Sequence, residues 1–399
     1  MFYRLNGQAQ HYIWGGKEYI PQLFQLSADN QIYAEWWLGT HPSAPSMIET
    51  ATNTEEDLAQ YITQHPEVLG EKSQQLFGHK LPYLLKILDV VKPLSIQLHP
   101  TKKEAEQGFA RENAAGIDLK DAKRSYKDDN HKPEMMIALS DFWLLHGFKT
   151  KASILSTLYA RPSLVVLAEQ LEQQSLKDFY ALVMQATQAE LAQWLLPIIQ
   201  HNQMAYRNNQ LTLDNPDYWV IYALEAMEIP LDKLDAGLLC FYLFNIVHLK
   251  QGEGIFQDAG IPHAYLRGQN IELMACSDNV IRGGLTPKYV DIPELLKIID
   301  CTEITPKVIA PAEQKNGYTT YQTPSQDFAL ANLNYQQGYQ CELVAKSAEI
   351  LLVMQGSLSI TADGKTLLLK QGQSLFIEAN THYQINGEQA GYAIIAKLP

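Results

Sequence analysis

Residues 252–263, GEGIFQDAGIPH, read as a glycine turn, a short strand, a second turn and a histidine. Near the end of the chain, residues 372–382, GQSLFIEANTH, repeat that form with one residue fewer. Two copies of one turn–strand–turn unit predict two antiparallel double-sheet barrels of the jelly-roll kind, an architecture that turns alternate side chains inward. The copies differ in their surroundings. His263 leads into Glu272, Asp278, Arg282 and Lys288, a mixture of charges poorly suited to plain core, whereas the segment around His382 lacks such a set. Buried charges of mixed sign require partners, so the stretch 252–288 reads as one wall of a polar pocket or as a structural ion-pair network.

Working outward, residues 1–50 are rich in Trp, Gly and Pro and read as short strands and turns. A helix is predicted from Thr54, with its hydroxyl as cap, because Leu58, Tyr61 and Ile62 repeat at helical spacing. The apolar runs Leu81 to Val91 and Leu94 to Leu98 read as buried strands. Between Thr150 and Asn245 glycine nearly vanishes and apolar residues take up the 3.6-residue period, as in Leu191, Trp194, Leu195 and Ile198, which predicts an inserted helical domain. Asp291 opens a short helix through Ile299 with Pro293 in its first turn. Residues 306–324 read as a linker. The expected fold is therefore mainly β with a helical insert: a first jelly roll over residues 1–149 and 246–310, helices over 150–245, and a carboxy-terminal jelly roll over 311–399.

Of 399 residues, 46% are hydrophobic and 19% charged, the balance of a folded globular protein. The formal charge of −13 argues against nucleic acid or an anionic membrane surface as partner. Cys240, Cys276, Cys301 and Cys341 form no CxxC pair, which speaks against a zinc ribbon or a disulfide scaffold and for a reducing compartment. The first residues carry no apolar run of signal-peptide length, and no segment approaches the ~20 apolar residues of a membrane span. A soluble, cytoplasmic, monomeric protein is expected.

Three clusters could carry chemistry. In Ser95-Ile-Gln97-Leu-His99-Pro100, Gln97 and His99 fall on the same face of a strand, although a Q-x-H triplet alone has little specificity and could be a solvated strand face. In the run Asp128 to Glu134, Pro133 fixes the backbone ahead of the apolar residues 135–139, so the Glu134 carboxylate enters a buried-looking strand where an unpaired charge is costly. The third is His263 with the charges C-terminal to it. Together Gln97, His99, Glu134 and His263 offer four N/O ligands without sulfur, a set suited to Zn²⁺, Fe²⁺ or Mn²⁺.

The chain resembles the type I phosphomannose isomerase family over nearly its whole length. The matching segments are the WGG turn at Trp14, AEWWLGTHPSAPS from Ala34, SIQLHP from Ser95, HKPE from His131, and the PHAY…IELMACSDNVIRGGLTPK stretch. The resemblance implies a cupin fold with one Zn²⁺ per chain held by Gln97, His99, Glu134 and His263. It implies a catalytic Arg282 and pocket positions at Ser95, Lys86, Lys132, Tyr265, Glu272, Asp278 and Lys288. The implied activity is interconversion of D-mannose 6-phosphate and D-fructose 6-phosphate through a cis-enediol, with a small sugar phosphate as the only partner. Within that reading Arg282 and Lys132 are candidates to stabilise the enediolate, Glu272, Asp278 or Lys132 to act as base, and Lys288, Lys86 and Ser95 to bind the phosphate. Two alternatives remain from the residues alone. Two histidines and a carboxylate also form the facial triad of non-haem iron oxygenases, which leaves Gln97 and the basic residues without a role; a non-catalytic sugar-binding cupin is the other.

Overall fold

The computed structural model describes residues 1–27, 29–50, 54–311 and 317–399. Among them, two ten-stranded sheets built from antiparallel pairs carry the fold. One runs in the order Tyr318–Tyr321, Ala329–Tyr335, His382–Lys397, Glu349–Ala362, Ser374–Ile377, Phe2–Asn6, Met47–Glu49 and Glu55–Asp57, with Gln340–Val344 and Lys365–Lys370 paired alongside. The other runs Phe244–Leu249, Phe142–Phe148, His263–Ala275, Tyr83–Val90, Glu35–Leu38 and Gln8–Gln10, joined by Glu134–Ala138, Gly254–Gln257, Gln97–Leu98 and Ile281–Arg282. The first sheet crosses the division expected at residue 310, because Phe2 to Leu5 pair with Ile377 to Ser374. Composition carries no trace of a contact so distant in sequence.

The strand Tyr83–Val90 shows how the sheet positions the site. Its alternate residues Tyr83, Leu85 and Ile87 join a buried cluster with Leu330, Ile350, Leu352, Phe376 and Ile394 of the other sheet. That period-two division leaves Lys86 on the opposite face. Between Thr150 and Phe244, the helices Lys151–Tyr159, Val165–Glu172, Leu176–Met184, Gln188–Arg207 and Pro216–Ala226 bury their apolar sides in one cluster with Ile96, Leu98, Leu145, Ala264 and Leu266. Thr150 and Thr187 cap two of them by accepting from the Ser153 and Glu190 backbone N–H groups.

The sequence echo persists in the backbone. Gly254–Gln257 leads to His263–Ala275 and Ser374–Ile377 leads to His382–Lys397, and the second turns pass through a left-handed residue at the equivalent place, Gly260 (φ 75°) and Asn380 (φ 62°). Glycine and asparagine are the residues that tolerate that conformation. Three local readings are corrected. The helix expected from Thr54 starts at Leu58, because Glu55–Asp57 pair as a strand, and the Asp57 carboxylate caps it by accepting from Ala59 N–H (2.7 Å) and Gln60 N–H (3.2 Å). Within Leu94 to Leu98 only Gln97–Leu98 is strand, since the Leu94 and Ile96 N–H groups donate to the Tyr265 and Gly284 carbonyls instead. The linker reading over 306–324 lies partly outside the described residues, and Tyr318–Tyr321 is a strand paired with Ala329–Tyr335. No helix among the described residues is long and apolar enough to cross a membrane.

Candidate metal centre

Antiparallel register assembles the centre. His263 opens its strand opposite both Gln97 and His146, and Glu134 stands opposite Met274 near the other end of that strand and opposite Gln257 on its second flank. His99 lies two residues beyond Gln97 in the chain. The result is a group of His99, Glu134 and His263 whose ligand atoms lie within 4.8 Å of one another. All three are buried, two with no exposed surface and Glu134 at 1%.

The tautomers follow from the hydrogen bonds. His99 Nδ1–H donates to the Asn279 carbonyl (2.8 Å) and His263 Nδ1–H donates to the Ile261 carbonyl (2.9 Å), so each Nε2 presents a lone pair. These Nε2 atoms lie 3.2 and 3.4 Å from the two Glu134 oxygens. Four acceptor atoms thus converge without a proton between them, and apart from the Lys132 ammonium beside Glu134 Oε1 none has a donor facing it. Buried, unsatisfied acceptors at this spacing fit a cation. Burial pushes the His99 imidazolium down to about 4, which keeps the ring in its ligating neutral form. Burial opposes the Glu134 charge as well, but the nearby positive charge, first of all the Lys132 ammonium (3.0 Å), holds the carboxyl well below its ordinary range. The Gln97 side chain lines the adjoining cavity.

That cavity, of about 720 Å³, also brings together Lys86, Ser95, Lys132, Glu134, Tyr265, Glu272, Asp278, Arg282 and Lys288. Lys86 is paired, 3.2 Å from Glu272 Oε2, which stands opposite it in register, and 3.3 Å from Glu35 Oε2, with its ammonium over the Trp37 ring. Burial disfavours its charge, yet the two carboxylates raise it above its ordinary value. Its charge is thus matched twice within the protein. Arg282, opposite Gln97 in register, has no ion-pair or hydrogen-bond partner among the described residues, and burial lowers its pKa. Ser95 is partly buried, Lys288 is exposed at the rim, and the buried Tyr265 hydroxyl has no partner.

The two acids that sequence left undistinguished are now distinct. Glu272 is 4% exposed, and burial, then the Glu134 charge, raise its carboxyl above the ordinary value despite Lys86. Asp278 has a half-exposed side chain, and its hydrogen bond with His41 (3.0 Å) lowers it. His41 accepts at Nδ1 from the Ser43 backbone N–H, so Nε2–H is the donor to Asp278. Glu35, Trp37 and His41 belong to the AEWWLGTHPSAPS segment but escaped sequence reasoning as site residues. Their signal is the register Trp37–Lys86–Glu272, which only a folded sheet supplies.

The family description "Phosphomannose isomerase type I, catalytic domain" matches residues 2–151. The mannose-6-phosphate isomerase of Escherichia coli strain K12 is 34% identical over 94% of this chain and 95% of its own length. A mutant of phosphomannose isomerase from Salmonella typhimurium superposes with a TM-score of 0.89 at 32% identity, covering 100% of this chain and 99% of that one. A zinc-bound mannose 6-phosphate isomerase superposes at 0.87, with the same identity and coverage.

Proposed function

The chain belongs to the type I phosphomannose isomerase family, and from that premise we propose that it is a zinc-dependent aldose–ketose isomerase interconverting D-mannose 6-phosphate and D-fructose 6-phosphate. The observation that carries this reading is the set of four converging acceptor atoms on His99, Glu134 and His263, beside a cavity lined by Glu134 together with a buried acid and an unpaired arginine. We assign the zinc to these three residues with the Gln97 amide oxygen as fourth ligand. The same reading puts the site in a cupin jelly roll over residues 1–149 and 246–310, with a helical insert between and a second jelly roll after it.

A zinc ion held there supplies Lewis-acid polarisation of the sugar oxygens. Glu272 is the base. As its carboxylate takes the C2 proton of the open-chain aldose, the C–H electron pair forms the C1=C2 bond and the carbonyl pair moves to O1, giving the cis-enediolate. Return of that proton from Glu272 to C1, with transfer of the O2 proton to O1, leaves a hydroxyl at C1 and the ketone at C2. Burial suits Glu272 to this work, because a carboxylate whose pKa is raised is a better base near neutral pH. Asp278, half-exposed and stabilised as an anion by His41, is a weaker choice. Lys132 lies 3.0 Å from Glu134 and serves as a cation rather than as the base. Arg282, with no carboxylate to neutralise it among the described residues, stabilises the enediolate oxygen, and Lys288 with the Ser95 hydroxyl takes the phosphate. A coupled assay of mannose 6-phosphate conversion to fructose 6-phosphate tests the reading; absence of turnover by protein with zinc bound would refute it.

A further inference from the structure

The run Asp128 to Asn130 and the residues Ser277 and Asn279 are not used by the mechanism, yet they share one dense hydrogen-bond node. The Asn279 side chain, with no exposed surface, accepts at Oδ1 from the Lys127 N–H (2.7 Å) and the Asp128 N–H (3.2 Å). Its Nδ2 donates to the carbonyls of Asp128 and Asn130, both at 2.8 Å, and to Asp128 Oδ1 at 3.2 Å. The Asp128 carboxylate answers by accepting from the Ser277 hydroxyl (2.8 Å), the Asn130 N–H (2.9 Å) and the Asp278 N–H (2.7 Å). An amide that uses both its donor and acceptor ends on one loop fixes that loop in place and orientation.

The node ties together two segments that reach the metal centre separately. On one side the Asn279 carbonyl receives the His99 Nδ1–H, which sets the imidazole plane. On the other, Asn130 is followed by His131, Lys132 and Pro133 and then by Glu134. Outer partners of this kind commonly change metal affinity by about 10–100-fold when removed. We infer that the Asp128–Asn279 node is a positioning device for zinc, holding His99 and Glu134 in mutual register. This inference rests on the zinc assignment proposed above.

The test is zinc affinity, read by competition with a chromophoric chelator on full-length protein. Asn279→Ala removes every bond made by that side chain and leaves the Asp128 carboxylate its bonds to the Ser277 hydroxyl and the Asp278 N–H. Asp128→Asn is milder, because an amide with its NH₂ toward the Asp278 N–H loses that bond and keeps the other three. The zinc dissociation constant is expected to rise about 100-fold in the first and about tenfold in the second, and the visible spectrum of the cobalt-substituted protein should change in both. The metal-free proteins should still melt cooperatively. A purely structural node would lower the melting temperature and leave zinc affinity within about twofold of the parent, which overturns the inference. If Asn279→Ala fails to fold, Asp128→Asn decides alone. Failure of the unsubstituted protein to bind zinc overturns the zinc assignment itself and is separate from either outcome.

Discussion

Replacing Lys86 with methionine removes a cation that lies between Glu35 and Glu272, 3.3 and 3.2 Å away. Coulomb's law at an effective dielectric of about 20 gives roughly 5 kcal/mol for unit charges at the shorter distance, an upper scale. Opposite charges this close lower a carboxyl pKa by about 1–3 units in practice, so losing Lys86 should raise that of Glu272 by a similar amount. The acid limb of the kcat/KM profile should move up by about 1–3 pH units, with activity lost near neutrality and partly recovered in alkali. Stability supplies a second reading. The folded Glu272 pKa already lies above its ordinary value, so the folded state binds protons more tightly than the unfolded chain and loses stability as pH rises between the two values. In Lys86→Met that window widens, and the deficit in melting temperature should be larger at pH 8 than at pH 5. Zinc content should be unchanged. An acid limb that stays in place, in protein with full zinc, would refute Glu272 as the base.

Lys288→Ala should raise KM for the phosphorylated sugar about tenfold, the scale of a charged hydrogen bond, and spare a neutral analogue; equal effects on both substrates would remove the phosphate role. Glu349, 3% exposed and accepting from the Tyr383 hydroxyl at 2.7 Å, has its carboxyl raised by burial. It therefore weakens the fold as pH rises from the ordinary carboxyl range through its folded pKa, and Glu349→Gln should melt higher relative to the parent at pH 8 than at pH 5. An unchanged difference between the two pH values would contradict that.

The proposed ligand set is legible in sequence because its chemistry is local. A proline fixes the backbone before Glu134, a two-residue spacing aligns Gln97 with His99, and the glycine turns around His263 recur around His382 in the same left-handed conformations. The charges around them can be named from sequence, but not their pairings. Lys86 suggests an anion site until the sheet register sets it between two carboxylates. His41, an unremarkable loop histidine in sequence, holds Asp278. Such pairings depend on which strands become neighbours, and a pattern of alternating residues records the face but not the neighbour. The pairing of Phe2–Asn6 with Ser374–Ile377 is the extreme case. The helix after Asp57 shows a smaller failure: Thr54 and Asp57 are both good caps, and a short hairpin decides between them.

The central claim is tested most directly by measuring metal content and mannose 6-phosphate isomerisation in one sample before chelation, after it, and after titration with Zn²⁺. The account predicts turnover that disappears on chelation and returns in proportion to bound zinc, reaching its maximum at one ion per chain. Full activity in protein shown by elemental analysis to be metal-free would contradict it.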